Sequence, residues 1–126
     1  MDFRFPKDEK LKSKTLIQEM FREGNAVSKY PLKLVFIQSS LPKEVTFQTG
    51  VSVSKRYFKH AVDRNKIKRF LRETYRHEKN NILNQTTDNY AFMILYTGKE
   101  MPNYDFIKQK MQQLVEKFIQ NELKNR

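Results

Sequence analysis

The chain has no cysteine. That removes disulfides, thiol nucleophiles and thiolate metal sites together, and it fits a reducing compartment. Only three glycines occur in 126 residues, at positions 24, 50 and 98, too far apart for a P-loop or a G-x-G-x-x-G turn. Histidine is equally scarce: His60 and His77 are the only two, and they do not stand at H-E-x-x-H spacing. The fourteen acidic residues are scattered, and no carboxylate pair or nucleophile–base set stands out. The longest apolar run, A-F-M-I-L-Y at residues 91–96, is far too short to span a bilayer. The opening M-D-F-R-F-P-K-D-E-K lacks the apolar region of a signal peptide. No internal repeat, low-complexity tract or linker is present. The expectation is one domain, residues 1–126, that performs no bond chemistry by itself, with no membrane and no small-molecule substrate.

What is abundant is positive charge. Twenty-five Lys and Arg give a net charge of +11 and a pI near 9.9, which points to nucleic acid or another anionic surface. Apolar residues make up 38%, with ten Phe and six Tyr, enough for a core burying about two-thirds of the unfolded surface.

The charge is concentrated. Between residues 55 and 79 ten basic side chains stand against three acids, Asp63, Glu73 and Glu78, so this segment holds seven of the eleven surplus charges. Wound as a helix at about 100° per residue with Ile67 at zero, Phe70, Leu71 and Thr74 fall between about −60° and +40°, a stripe suited to a core. Arg64, Lys68, Arg72 and Arg76 step from about 60° to 180° as an i, i+4 ridge, with Asn65 and Arg69 beside it. Asp63 falls near the apolar stripe, where a place in the first turn would favour it through the helix dipole. A row of cations about 5–6 Å apart suits a phosphate backbone. Arg can fork onto phosphate oxygens, and Asn can donate to and accept from sugars and bases. The bland reading is a solvated face of a basic protein; the one-sided ridge, its lack of acidic partners and the embedded Asn65 argue against it.

Around this segment the chain reads as α+β, a small two-layer sandwich in the order α-β-β-β-α-β-α. Residues 1–12 look like a partly ordered arm onto which Phe3 and Phe5 could fold. Ser13 is a good N-cap and Gly24 a good C′ residue. Between them Leu16, Ile17, Met20 and Phe21 share one face, by default a core face. Residues 30–38 read as a strand with Pro31 at its beginning or on an edge, and residues 39–43 as a turn. Val45, Phe47, Thr49, Val51 and Val53 alternate as in a half-buried strand, with Gly50 marking a bend or bulge. Beyond the basic helix come a partly helical tail, an interior strand from Tyr90 and, after Asn103 as a cap, a helix with Ile107, Met111, Leu114 and Phe118 at core spacing.

The strand ending S-V-S-K-R, followed by A-V-D-R-N-K-I-K-R-F-L-R-E-T-Y-R, resembles the signature of the protein subunit of bacterial ribonuclease P. The first helix ending F-R-E-G and the strand Y-P-L-K-L-V-F extend the resemblance over most of the chain. The resemblance implies a cytoplasmic RNA-binding protein that works with a catalytic RNA to remove the 5′ leader of precursor tRNA using Mg²⁺, the metal being held mostly by RNA. It implies RNA contacts through Arg64, Asn65, Lys68, Arg69 and Arg72, to which Lys55, Arg56, Lys66 and Arg76 are added as neighbouring cations. It implies a leader cleft at Ile17, Phe21 and Val35 or Phe36, and a left-handed strand–helix–strand crossover, against the usual rule. Two positions depart from the pattern. Lys66 keeps the charge of an arginine without its bidentate geometry, and Ile17 cannot stack on a base as Phe can. A structural RNA binder such as a ribosomal protein remains the alternative. A helix-turn-helix DNA binder fits less well, because strands flank the basic helix and no helix lies one tight turn before it.

Overall fold

A computed structural model describes residues 9–38 and 46–124. The elements are α1 (Lys14–Glu23), β1 (Asn25–Lys29), β2 (Leu32–Gln38), β3 (Phe47–Val53), α2 (Ala61–Leu83), β4 (Tyr90–Tyr96) and α3 (Tyr104–Phe118), which runs into a π-helical turn at Ile119–Leu123. This is the α-β-β-β-α-β-α order. The expected turn at 39–43 and the first eight residues of the arm, with Phe3 and Phe5, lie outside the described residues.

The four strands form one sheet in the order β1-β2-β4-β3. β1 and β2 are antiparallel, β2 and β4 antiparallel, and β3 runs parallel to β4, so α2 is a crossover between parallel neighbours. β4 is central, and six of its seven residues are buried, as its uninterrupted apolar sequence predicts.

Alternation along the strands makes two apolar faces. Leu32, Leu34 and Phe36 of β2, Phe47 and Val53 of β3, and Tyr90, Phe92, Ile94 and Tyr96 of β4 meet α2 and α3 in the main core. Its centre is aromatic: Tyr90 and Phe92 stack 5.6 Å apart, and Phe118 stands edge-on to Phe36, Tyr90 and Phe92 at 4.8–5.5 Å. The opposite face is smaller. Val35, Ala91 and Met93 pack there against Leu11 and Met20, flanked by Leu16, Ile17, Ile37 and Leu95. The two-layer sandwich of sheet on α2 and α3 therefore carries α1 on its outer face.

Both predicted caps are made: Ser13 Oγ accepts from the Leu16 amide at 3.2 Å and Asn103 Oδ1 from Phe106 at 2.8 Å. Gly24 closes α1 in an extended conformation, φ −74°, rather than a left-handed one. It is needed for space, since a Cβ there would strike the carbonyl oxygens of Met20 and Phe36. Gly50 forms no bulge; the β3–β4 register runs unbroken from Phe47 to Val53. A Cβ at Gly50 would lie 3.1 Å from the Met93 Cε, so this glycine makes room for a side chain on the neighbouring strand.

Candidate nucleic-acid interface

α2 forms because its core-facing positions recur at helical spacing: Ile67, Phe70, Leu71 and Thr74 are buried along one stripe, and Tyr75 and Ile82 are buried beside it. Asp63 lies in its first turn, where the helix dipole favours it. Asn65, Lys66, Arg69 and Arg76 are exposed, while Arg64, Lys68 and Arg72 are half-buried. Among the described residues, no carboxylate forms an ion pair with Lys66, Lys68, Arg69 or Arg72. Their charge is available to a partner. Lys79 is different, lying 2.8 Å from the Glu9 carboxylate.

The ridge is not uniform. Arg64 turns back, and its Nη1 donates to the carbonyl oxygens of Phe58 at 2.7 Å and Lys59 at 2.9 Å. It thereby fastens the β3–α2 connection, which carries the exposed Lys55 and Arg56, to the first turn of α2. Arg72 sits deeper; burial lowers the pKa of its guanidinium, which nonetheless stays charged at any ordinary pH. With Lys10 and Lys12 it lines a groove of about 360 Å³ along Thr49, Gly50 and Val51 of edge strand β3. Leu11 belongs both to this groove and to the α1-side cluster, so the groove joins the α2 ridge to the outer face of the sheet. On the opposite flank, the cationic groups of Lys66 and Arg69 stand 6.0 and 5.8 Å from the Phe70 ring centre.

On the outer face, Phe21 is 55% exposed, which corrects the default expectation of a core residue. Met20 takes that place, leaving Ile17 half-buried beside it and Val35 beneath α1. Phe36 cannot line this face. As the neighbour of Val35 on a strand it points to the other side, where it meets Phe118 and Tyr90 at 4.8 and 6.3 Å. Of the expected cleft residues the structure therefore brings together Ile17, Phe21 and Val35.

Sequence reasoning missed three interactions here. Tyr75 is buried with its hydroxyl accepting from Thr49 Oγ1 at 3.1 Å, and burial, the largest influence, raises its pKa strongly. Nothing in the α2 pattern marks this residue; the pairing with Thr49 is tertiary. The Arg64 clamp and the Lys79–Glu9 pair likewise join groups that the linear pattern leaves apart.

Among the described residues, no group of three or more His, Cys, Asp or Glu side chains is placed to hold a metal ion. No helix among them is long and apolar enough to cross a membrane.

The model of the family described as Ribonuclease P matches residues 5–119. The chain belongs to the ribonuclease P protein family. The ribonuclease P protein component of Porphyromonas gingivalis is 32% identical over 113 residues, covering 87% of this chain and 82% of that one. That of Dictyoglomus turgidum is 36% identical over 106 residues, covering 84% and 83%. The fold is also that of the RNase P protein of Staphylococcus aureus, with a TM-score of 0.71, 22% identity and coverage of 93% and 99%. The Thermotoga maritima RNase P protein gives a TM-score of 0.69 at 19% identity, covering 86% and 96%. Ribonuclease P membership makes this chain the protein subunit of an endoribonuclease ribonucleoprotein acting in tRNA 5′ processing, with RNA as its partner. It also sets aside the ribosomal and helix-turn-helix readings.

Proposed function

We propose that the chain binds the catalytic RNA of ribonuclease P along α2, and the single-stranded 5′ leader of precursor tRNA on the outer face of the sheet beside α1. The observation that carries this is the row Lys68, Arg69 and Arg72 on one face of α2, with Lys66 on its flank, cations with no carboxylate partner among the described residues. Neutralising phosphates with such a row releases counterions and supplies affinity. Asn65 and Arg69 are exposed to reach sugars and base edges, and Lys55, Arg56 and Arg76 extend the positive surface to either end. Arg64 holds the preceding connection in place and so aligns Lys55 and Arg56 with the ridge. Ile17 and Phe21 give the leader an apolar edge with one exposed ring, Val35 supports it from beneath α1, and the groove at Lys10, Lys12 and Arg72 takes its phosphates. In this reading Mg²⁺ is coordinated by RNA, the protein's cations reduce the metal needed to screen the folded RNA, and the complex works in the cytoplasm, consistent with a cysteine-free chain.

The test is reconstitution with the ribonuclease P RNA of the same genome. RNA-free protein should leave precursor tRNA intact, and the complex should cleave it at a Mg²⁺ concentration where the RNA alone is slow. Metal-dependent cleavage by the RNA-free chain, or no change in the Mg²⁺ requirement, would contradict the reading.

A further inference from the structure

The connection between β3 and α2 carries an aromatic residue that the fold does not use. Phe58 does the packing: it is buried, and its ring lies 5.9 Å from that of Tyr96 in the main core. Its neighbour Tyr57 is 39% exposed. Two cations from different parts of the chain approach the Tyr57 ring, Arg56 Cζ at 5.6 Å and Lys99 Nζ, from the β4–α3 connection, at 5.5 Å. The pairing recurs nearby. Phe106, also exposed, has Lys110 Nζ 5.8 Å from its ring and shares an open cavity of about 270 Å³ with Tyr96 and Met101. This end of the sheet thus presents exposed rings with cations over them, the combination of aromatic and basic groups that a surface for unpaired nucleotides uses.

We propose that Tyr57 is a stacking platform for one unpaired base of the catalytic RNA, with Arg56 and Lys99 holding the flanking phosphates. The inference rests on the RNA-binding function proposed above and adds a site to it. Three observations favour it over a solvated tyrosine. An exposed cation–π contact is weaker than a stacked base, so a base can displace one cation, and the displaced cation then has a phosphate beside it. The Tyr57 connection is fixed to the α2 ridge by the Arg64 hydrogen bonds to Phe58 and Lys59, so an RNA lying on the ridge meets Tyr57 at a set position. Phe58 enters the helical-side core, which assigns the connection to the α2 layer rather than to the α1 face proposed for the leader.

The test compares full-length wild type, Tyr57→Ala, Tyr57→Phe and Lys68→Glu for binding to the ribonuclease P RNA transcript across a KCl series, with thermal melts of each. Tyr57→Ala should bind about 5- to 150-fold more weakly, with an unchanged melt and an unchanged slope of log affinity against log salt, because stacking releases no counterions. Tyr57→Phe should stay within about twofold of wild type, since the ring is kept. Wild-type affinity in Tyr57→Ala, or a loss in the alanine variant that the phenylalanine variant shares, would overturn the stacking site. So would a loss seen only when the assembled enzyme binds long-leader rather than leaderless substrate, which would place the base in the leader. If Lys68→Glu weakens binding and Tyr57→Ala does not, the stacking site alone falls. If wild-type protein fails to bind this RNA, the functional reading falls with it.

Discussion

Arg64 Nη1 donates to the carbonyl oxygens of Phe58 and Lys59, so one of the cations expected to meet RNA also holds the chain that enters the helix. A guanidinium spread over two carbonyls has fewer donors left for phosphate. Arg64→Ala should therefore lower the melting temperature as well as RNA affinity, with a stability cost of about 1–3 kcal/mol for hydrogen bonds from a charged donor. Arg69→Ala, on an exposed residue, should reduce affinity with no change in melting. The check is a pair of melts beside a pair of binding curves; equal melting of the two variants would mean the clamp contributes nothing to folding.

Lys79 lies within α2, which continues to Leu83, and its charge is engaged by Glu9 at 2.8 Å. Lys79→Ala should cost up to about 1 kcal/mol of stability and leave the salt dependence of RNA binding close to wild type. A slope reduced as much as in Lys68→Glu would show that the pair opens to meet phosphate.

Phe21, at 55% exposure, distinguishes the leader surface from the core. Phe21→Ala should leave the melt nearly unchanged and weaken binding of long-leader precursor tRNA by the assembled enzyme, with leaderless tRNA bound as before. Met20→Ala, beside it but fully buried, should cost about 2–5 kcal/mol of stability. A large melting loss in Phe21→Ala with equal loss on both substrates would place the ring in the core.

Burial raises the pKa of Tyr75 above its unfolded value of about 10. The folded state then holds its proton at a pH where the unfolded state loses it. Stability from this group is complete below pH of about 10 and is lost as the pH rises beyond it. Denaturant midpoints should stay level from neutral pH and fall above about 10, and Tyr75→Phe should flatten that fall. It should not remove it, since burial shifts Tyr96 the same way. An unchanged alkaline profile in Tyr75→Phe would contradict this.

Much of the fold was legible because its signals are local. Ser13, Asn103 and the 3.6-residue recurrence of apolar side chains mark three helices, and the alternation in β3 and the apolar run of β4 mark two strands. β1 was not, since N-A-V-S-K buries only Val27 and exists by pairing with β2. Val35 and Phe36 could be assigned to opposite faces from alternation, but not each to its face, because β2 is apolar on both. Tyr75 shows where the helical wheel runs out. It falls at about 80°, inside the arc of the cationic ridge, and is buried because Thr49 on the edge of β3 reaches it. Arg72 is half-buried beside Thr49, Gly50 and Val51 of β3, so the ridge has an inner edge against the sheet. Gly50 was read as a bend from its residue type, whereas its purpose lies in Met93 on another strand.

The central claim is that an ordered row of cations on α2 holds the catalytic RNA. The most direct measurement is the affinity of wild type, Lys68→Glu, Arg69→Glu and Arg72→Glu for the ribonuclease P RNA transcript as a function of salt. Each variant should bind more weakly, and the slope of log affinity against log salt should flatten by about 0.7–0.9 for every phosphate that is no longer neutralised. If the three variants bind with wild-type affinity and slope, or if reversing Lys108, an exposed cation of α3, has the same effect as reversing these positions, α2 is not the surface that holds the RNA.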